Sequence, residues 1–192
     1  MRTSPRTLAV DMAIGVVAGL VATKVTDWAK TAFYRLTPPN VGKVEERVRR
    51  SPPAEIAAEN WANRIGVRMD EKTRGRACNV VHYVLGAVWG LVYGQLRRIS
   101  RMSAPAAAFI SGATMSQMIH ECLTPALGNS VPHRDYPLLT HVRGFAGDLV
   151  FGTVNAAMAE ALYRLVDLRA RRPTQRPCIE RDPFDATPGM RR

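Results

Sequence analysis

The sequence predicts an all-α protein, a four-helix transmembrane bundle with an amphipathic helix in its long outer loop. Three observations predict this fold class. The chain has 192 residues of which 46% are hydrophobic, which favours one folded domain over disorder. It contains four apolar segments of about 20 residues, the length that spans a bilayer. Each segment also repeats small side chains every four positions, a spacing that permits close helix packing.

The four apolar segments cover residues 8–27, 78–97, 103–124 and 143–165. The second is the most apolar, since Ala77 to Leu96 contains no Asp, Glu, Lys or Arg. Serine and threonine weaken the third, and the first and fourth carry ionisable residues. A soluble bundle with long apolar helices is the alternative. Four such segments in one short chain favour the membrane.

The basic residues in the short flanks indicate an orientation. Three arginines lie in the turn 97–101 and eight follow from Arg164 onward, against two in the loop 125–143. The positive-inside rule therefore places both termini and the turn in the cytoplasm. The outer loop, residues 30–77, carries eleven basic and six acidic residues, and it is too long for the positive-inside rule to indicate its side of the membrane.

Within the outer loop, Ala54, Ala58, Trp61 and Ile65 recur at helical spacing, and an amphipathic helix over about 52–66 is expected. Residues 1–168 then form the membrane domain. The tail 169–192 is rich in proline and arginine, so we expect it to be disordered and to bind anionic lipid headgroups. The net charge of +11 thus indicates orientation and lipid contact. A nucleic-acid partner is not expected, because no aromatic residues interleave with the basic ones.

Small residues four apart lie above one another on a helix, so each segment has one narrow face without bulk. Helices in lipid associate through close backbone approach at such faces. Glycine and alanine are common in membrane helices, and chance matches are the alternative explanation. The predicted packing glycines are Gly15, Gly19, Gly86, Gly90, Gly94, Gly112, Gly144 and Gly152.

Ionisable residues near the segment ends fall into two layers. Asp11 and Glu160 lie near the inner surface. The predicted outer polar layer comprises Lys24, Asp27, His82, His120, Glu121, His141, Arg143 and Asp148. Charges at membrane depth usually face the bundle interior or a wet cavity.

Three interpretations of this layer remain open: structural ion pairs, a proton- or ligand-linked site, and a metal or haem site. No metalloprotease, phosphate-loop or nucleophile-elbow motif is present, so no catalytic residue and no cofactor is predicted. Of the three cysteines, Cys78 and Cys122 would both face the oxidising side, and a disulfide between them stays possible.

The chain resembles the YagU-type family of bacterial inner-membrane proteins. The resemblance rests on the stretches 18–23, 82–94, 121–128 and 141–152, and in particular on His82-Tyr83, Gly86, Gly90, Pro125-Ala126-Leu127-Gly128 and His141-x-Arg143-Gly144. It covers roughly residues 8–165 without most of the outer loop. It implies a small multi-spanning inner-membrane protein, with a role in envelope or acid-stress physiology, and brings no catalytic residues.

Three functions follow as hypotheses. The first is a non-enzymatic membrane protein that serves as a structural or assembly component, with other subunits or a second copy as partner. The second is a small proton-linked transporter or channel that uses the outer polar layer. The third is a haem- or quinone-binding membrane protein.

Overall fold

A computed structural model describes residues 8–48, 53–100, 102–128 and 135–170. These residues are almost entirely helical, and no strand occurs among them, which confirms the predicted all-α class. The helices are α1 (Leu8–Arg35), α2 (Pro39–Val48), α3 (Pro53–Arg64), α4 (Glu71–Ile99), α5 (Ala104–Met115), α6 (Thr124–Ala126) and α7 (Leu138–Ala170). The tail predicted to be disordered lies outside the described residues from position 171 onward.

Three of the described helices, α1, α4 and α7, are long and apolar enough to cross a membrane. Each extends beyond the apolar segment predicted for it, because polar residues continue the helix into the flanks. The remaining predicted segment, 103–124, is helical but not uniform. It begins as α5, passes through a π-helical stretch at Ser116–Leu123 and ends in α6. Three apolar helices of this length indicate a membrane protein.

Helix α1 packs along α4 and α7, and α5 packs along α7 and α4. Asp11 near the start of α1 binds Arg98 near the end of α4, and Asp27 near the end of α1 binds His82. Helix α1 is therefore antiparallel to α4. We call the end that contains Asp11 and Arg98 the turn end, since it holds the turn between α4 and α5. The opposite end, which contains Asp27 and His82, is the loop end.

Glycines bring two pairs of helices into backbone contact. A Cβ atom on Gly15 would lie 2.8 Å from the carbonyl oxygen of Gly90, and Gly19 faces Gly86 in the same way. Between α5 and α7, a Cβ atom on Gly112 would lie 2.6 Å from the carbonyl oxygen of Asp148. No larger residue fits these positions unless the helices move apart.

Six of the eight predicted packing glycines lie in such backbone contacts: Gly15, Gly19, Gly86, Gly90, Gly112 and Gly152. At Gly94 an added Cβ would make only ordinary contacts, 3.6 Å from the Tyr163 hydroxyl and 3.7 Å from the Asp11 carbonyl oxygen. At Gly144 it would meet open space within the described part of the chain. The described residues therefore show no backbone contact at Gly144.

The bundle exposes large apolar side chains on its outer surface. Its centre contains small residues such as Ala18, Ala22 and Ala159, together with a fully buried carboxylate at Asp148 and larger core residues such as Phe151. Many other large apolar side chains point outward, as Val84, at 56% exposure, illustrates. The exposed large residues on the long helices include Met12, Val17, Leu20, Val80, Val84, Val88, Phe109, Met118, Val142 and Leu165. This distribution is typical of helices that face lipid with their bulky side chains.

The helix predicted over about 52–66 corresponds to α3, and the outer loop contains a further short helix, α2. Ala58 and Ala62 of α3 are buried, and this helix packs against the start of α4. Arg74 of α4 forms a salt bridge with Glu59 of α3, with 2.7 Å between Nε and a carboxylate oxygen. Asp70 caps α4 by accepting a hydrogen bond from the Thr73 amide, which lowers the pKa of the Asp70 carboxyl. The α3–α4 hairpin therefore continues the bundle beyond the apolar segments.

Candidate functional site

An aspartate–histidine pair joins α1 to α4 at the loop end. The Nε2 atom of His82 lies 2.8 Å from Oδ1 of Asp27. Both side chains are about one-third exposed, so solvent reaches the pair. A hydrogen-bonded carboxylate fixes the orientation of an imidazole ring. The sequence placed these two residues in the same layer, and the structure brings them into direct contact.

A second pair joins α1 to α7. Nζ of Lys30 lies 3.0 Å from Oδ1 of Asp148, a carboxylate that is fully buried. The stem of Lys30 passes over Gly147, where an added Cβ atom would lie 2.5 Å from Cε of the lysine. Gly147 thus leaves the space through which the lysine reaches Asp148. A carboxylate inside an apolar bundle requires such a partner, because an unpaired buried charge is costly.

A third contact fixes the start of α7 to the outer loop. The Arg143 guanidinium donates to both carboxylate oxygens of Glu45 on α2, at 2.7 Å each, and to the Thr37 hydroxyl at 2.8 Å. It also lies 5.1 Å from the ring centroid of Tyr34. Both charged side chains are nearly buried, since 14% of Arg143 and 5% of Glu45 is exposed. One guanidinium nitrogen, Nη2, makes both contacts with Glu45 while Nη1 binds Thr37, and together they hold α2 against α7.

We expect Arg143→Lys to release α2 although the positive charge is kept. A lysine ammonium is a point charge without the planar fork that matches a carboxylate, and it loses the stacking on Tyr34. Limited proteolysis should then cleave within residues 39–48 faster than in the parent protein. The exposed Arg47→Lys on α2 serves as the matched control, and equal cleavage rates in both variants would contradict the contact.

The other described members of the predicted layer make different contacts. Lys24 is exposed, with Nζ 6.0 Å from the Trp28 ring centroid, because Thr23 and Thr26 occupy the inward face of α1. The ring of His141 meets Tyr136 edge-on at 6.3 Å between centroids. The side chains of His120 and Glu121 lie outside the described residues.

A corresponding set of contacts closes the turn end. Glu160 accepts hydrogen bonds from Arg97 over 2.7 Å and from the Tyr93 hydroxyl over 3.2 Å. Asp11 accepts from Arg98 over 2.6 Å. Arg97 also donates to the Met102 carbonyl oxygen, which fixes the turn that follows α4. Each predicted inner carboxylate therefore binds one of the two adjacent arginines of that turn.

Chemically, these arrangements bind helices to one another. Each of the pairs at the loop end joins two different helices. Among the side chains that the structure describes, no group of three His, Cys, Asp or Glu residues lies close enough to hold a metal ion. Cys78 and Cys122 are not joined to each other, so the disulfide that the sequence left open is not formed in this structure.

Three of the contacting residues were missed by sequence reasoning: Lys30, Glu45 and Gly147. A signal for Lys30 is present, because it follows Asp27 by three positions and so shares its helix face. Glu45 carried none, since α2 lies far from Arg143 along the chain and the sequence of one helix does not show which distant residue it meets. Comparison of the chain with protein-family models, curated proteins and solved structures gave no match.

Proposed function

We propose that the chain is a four-span inner-membrane protein of the bacterial envelope, related to the YagU-type family, that acts as a structural or assembly component and not as an enzyme. Both termini and the turn 97–101 face the cytoplasm in this proposal, and partners are other membrane subunits or a second copy. The observation that supports it best is that the charged groups near the helix ends pair with groups on other helices. The carboxylates Asp11, Asp148 and Glu160 each bind a cationic side chain on another helix.

The direction of the helices supports four spans. Helices α4 and α7 both run antiparallel to α1, since Asp11 binds Arg98 and Asp148 binds Lys30. Both helices therefore start at the loop end, and the chain between them must return from the turn end. Helix α5 with its π-helical continuation makes that return, and Phe109 and Met118 expose large apolar side chains along it.

The glycine contacts support a packing role over a transport role. Gly15, Gly19, Gly86 and Gly90 bring the backbones of α1 and α4 together over more than one helical turn, and a pathway between these two helices is closed. Gly112 and Gly152 do the same between α5 and α7. Rigid glycine-packed bundles of this kind suit a scaffold against which further subunits assemble.

Native mass analysis of the gently solubilised protein tests the proposal. We expect a complex heavier than the 21.2 kDa chain, with added mass that corresponds to protein subunits. A monomer that carries a stoichiometric haem, with its visible absorption band, would favour a cofactor-binding protein instead. A monomer without added mass would contradict the assembly role.

The three cysteines allow a direct test of the topology. Single-cysteine variants that retain only Cys122 or only Cys178 are treated in intact spheroplasts with a membrane-impermeant maleimide. We expect labelling at Cys122, which is exposed at the loop end, and none at Cys178 until the membrane is permeabilised. Labelling of Cys178 in intact spheroplasts would contradict the cytoplasmic C-terminus.

The contact between Asp27 and His82 favours a second candidate, a proton-linked transporter, because it joins an imidazole, a group that can carry a proton, to a carboxylate and is accessible to solvent at the loop end. Proton flux into proteoliposomes distinguishes the two. If the protein is a packing component, wild-type flux equals that of empty vesicles. A flux that His82→Ala abolishes and Lys24→Met preserves would establish transport.

A further inference from the structure

The interior of the bundle contains an amide for which its own helix supplies no partner. Asn155 on α7 is fully buried, and neither Nδ2 nor Oδ1 has a hydrogen-bond partner among the described residues. An asparagine amide offers two donor hydrogens and two acceptor lone pairs. Leaving them unpaired inside an apolar bundle is unfavourable, and buried polar groups in folded proteins are nearly always paired, often with ordered water.

Two hydroxyl groups on other helices share this property. Four threonines in the described helices, and Thr37 just after α1, donate to the carbonyl oxygen four residues earlier: Thr23, Thr31, Thr37, Thr114 and Thr153. Thr26 on α1 and Ser111 on α5 do not, and their buried hydroxyl oxygens have no partner within the described ranges. Their own helices therefore leave both hydroxyls available for another group.

These three residues lie on the three helices that pack around the Lys30–Asp148 pair. Asn155 follows Asp148 by seven residues, so it lies on the same face of α7, about 10 Å nearer the turn end. Thr26 precedes Lys30 by one helical turn on α1. Ser111 is adjacent to Gly112, whose backbone contacts Asp148. Helices α1, α5 and α7 thus each direct one available polar group into the half of the bundle where the buried carboxylate lies.

The geometry points to a buried water site between α1, α5 and α7, in which ordered water molecules bridge Asn155, Ser111 and Thr26 to the Lys30–Asp148 pair. The chemistry of the three groups favours water over an ion. Each is neutral and both donates and accepts, whereas a cation requires acceptors and an anion requires donors. The charge of Asp148 is already balanced by Lys30. The side chain of Lys30 is 31% exposed, so water enters from the loop end.

This site goes beyond the structural role and does not depend on the number of spans or on a partner. It places polar groups in the loop-end half of the bundle, beside the apolar cluster of Ala22, Trp89, Met115, Ile119 and Phe151, and the cluster around Ala18, Ala107 and Ala159 bounds it toward the turn end. A hydrated region of this kind stabilises a buried ion pair, because water bonds to the carboxylate and the ammonium in addition to their mutual contact.

Hydroxyl-radical footprinting with mass spectrometry tests the site, since radiolysis of bound water oxidises adjacent side chains that bulk solvent does not reach. Phe151 is 1% exposed and lies one turn from both Asp148 and Asn155. We expect Phe151 to be oxidised in the solubilised wild-type protein and to lose that labelling in Asn155→Leu, which keeps the volume but removes the amide. Tyr163, 7% exposed at the turn end, is the buried control, and Tyr34, 44% exposed, is the accessible one.

Absence of Phe151 oxidation in the wild type would overturn the site. The site would also be overturned if Asn155→Leu left the oxidation of Phe151 unchanged while Tyr163 stayed protected. If Asn155→Leu does not fold, the buried control Tyr163 becomes more strongly oxidised. In that case Ser111→Ala is used in its place. This smaller change should reduce Phe151 labelling with Tyr163 still protected, and an unchanged yield would overturn the site. None of these results bears on the mass of the native complex, so this proposal and the assembly role fail separately.

Discussion

Replacing Gly90 by alanine should lower the free energy of unfolding by about 2 kcal/mol, although alanine is the better helix former. A Cβ atom at this position would lie 2.9 Å from the Gly15 carbonyl carbon and 3.0 Å from Cα of Gly19, with the Gly15 carbonyl oxygen closer still. All three are backbone atoms of α1, which cannot turn aside as a side chain does. The helices must separate, and overpacking of about 3 kcal/mol outweighs the gain of about 1 kcal/mol in helix propensity.

Gly94→Ala is the matched control, because it lies one turn further along the same helix. Its Cβ atom would be 3.6 Å from the nearest neighbour, so we expect stability to stay unchanged or to rise by up to about 1 kcal/mol. Unfolding in mixed micelles measures both variants. Gly90→Leu should go further and prevent assembly, while the protein still resists extraction from membranes by carbonate. Equal stability of Gly90→Ala and Gly94→Ala would contradict the packing of α1 on α4.

The second large effect is expected at Lys30. Replacing it by methionine keeps the apolar stem but leaves Asp148 charged, fully buried and without its lysine, at a cost of about 3 kcal/mol. Asp148→Asn should cost less, because Lys30 is partly exposed and its ammonium reaches solvent once the carboxylate is gone. The double variant Lys30→Met, Asp148→Asn should regain most of the stability, since no unpaired charge remains.

The control for this series is Lys24→Met on the same helix. Lys24 is exposed and its ammonium lies over Trp28, so its replacement should change the free energy of unfolding by less than about 0.5 kcal/mol. The same mixed-micelle titration serves for all four variants. The ion pair would be excluded as a structural element if Lys30→Met were as stable as Lys24→Met, or if the double variant lost the sum of the single losses.

Much of the fold was predictable because the relevant signals are local in the sequence. A run such as Ala77–Leu96 excludes charge over the length of a helix that crosses a bilayer, and the structure has a helix there. The spacing of Gly15 and Gly19, and of Gly86 and Gly90, marked two faces where backbones meet. The spacing did not tell which faces meet, and it also marked Gly144, where the described part of the structure has no close neighbour.

The sequence predicted the level of the bundle at which the site residues lie, but not which of them bind each other. Counting residues from the helix ends placed Asp27 and His82 at one level, and they bind each other. The same count included Lys24, whose side chain points away from the bundle. It missed Lys30, because reach and direction of a long side chain depend on how α1 is rotated and on the gap left by Gly147. Helix rotation is set by packing against neighbours, which no single segment encodes.

By itself, the sequence determined the all-helical class, three long apolar helices and the faces that have small residues, since hydropathy and period four are properties of one helix at a time. The tertiary structure decided the contacts between helices, such as Lys30 with Asp148 and Arg143 with Glu45, and it placed in the bundle core the amide of Asn155, which has no partner among the described residues. The physical reason is that a charge or an amide acquires its role from the atoms that packing brings within hydrogen-bond distance, and these come from distant parts of the chain.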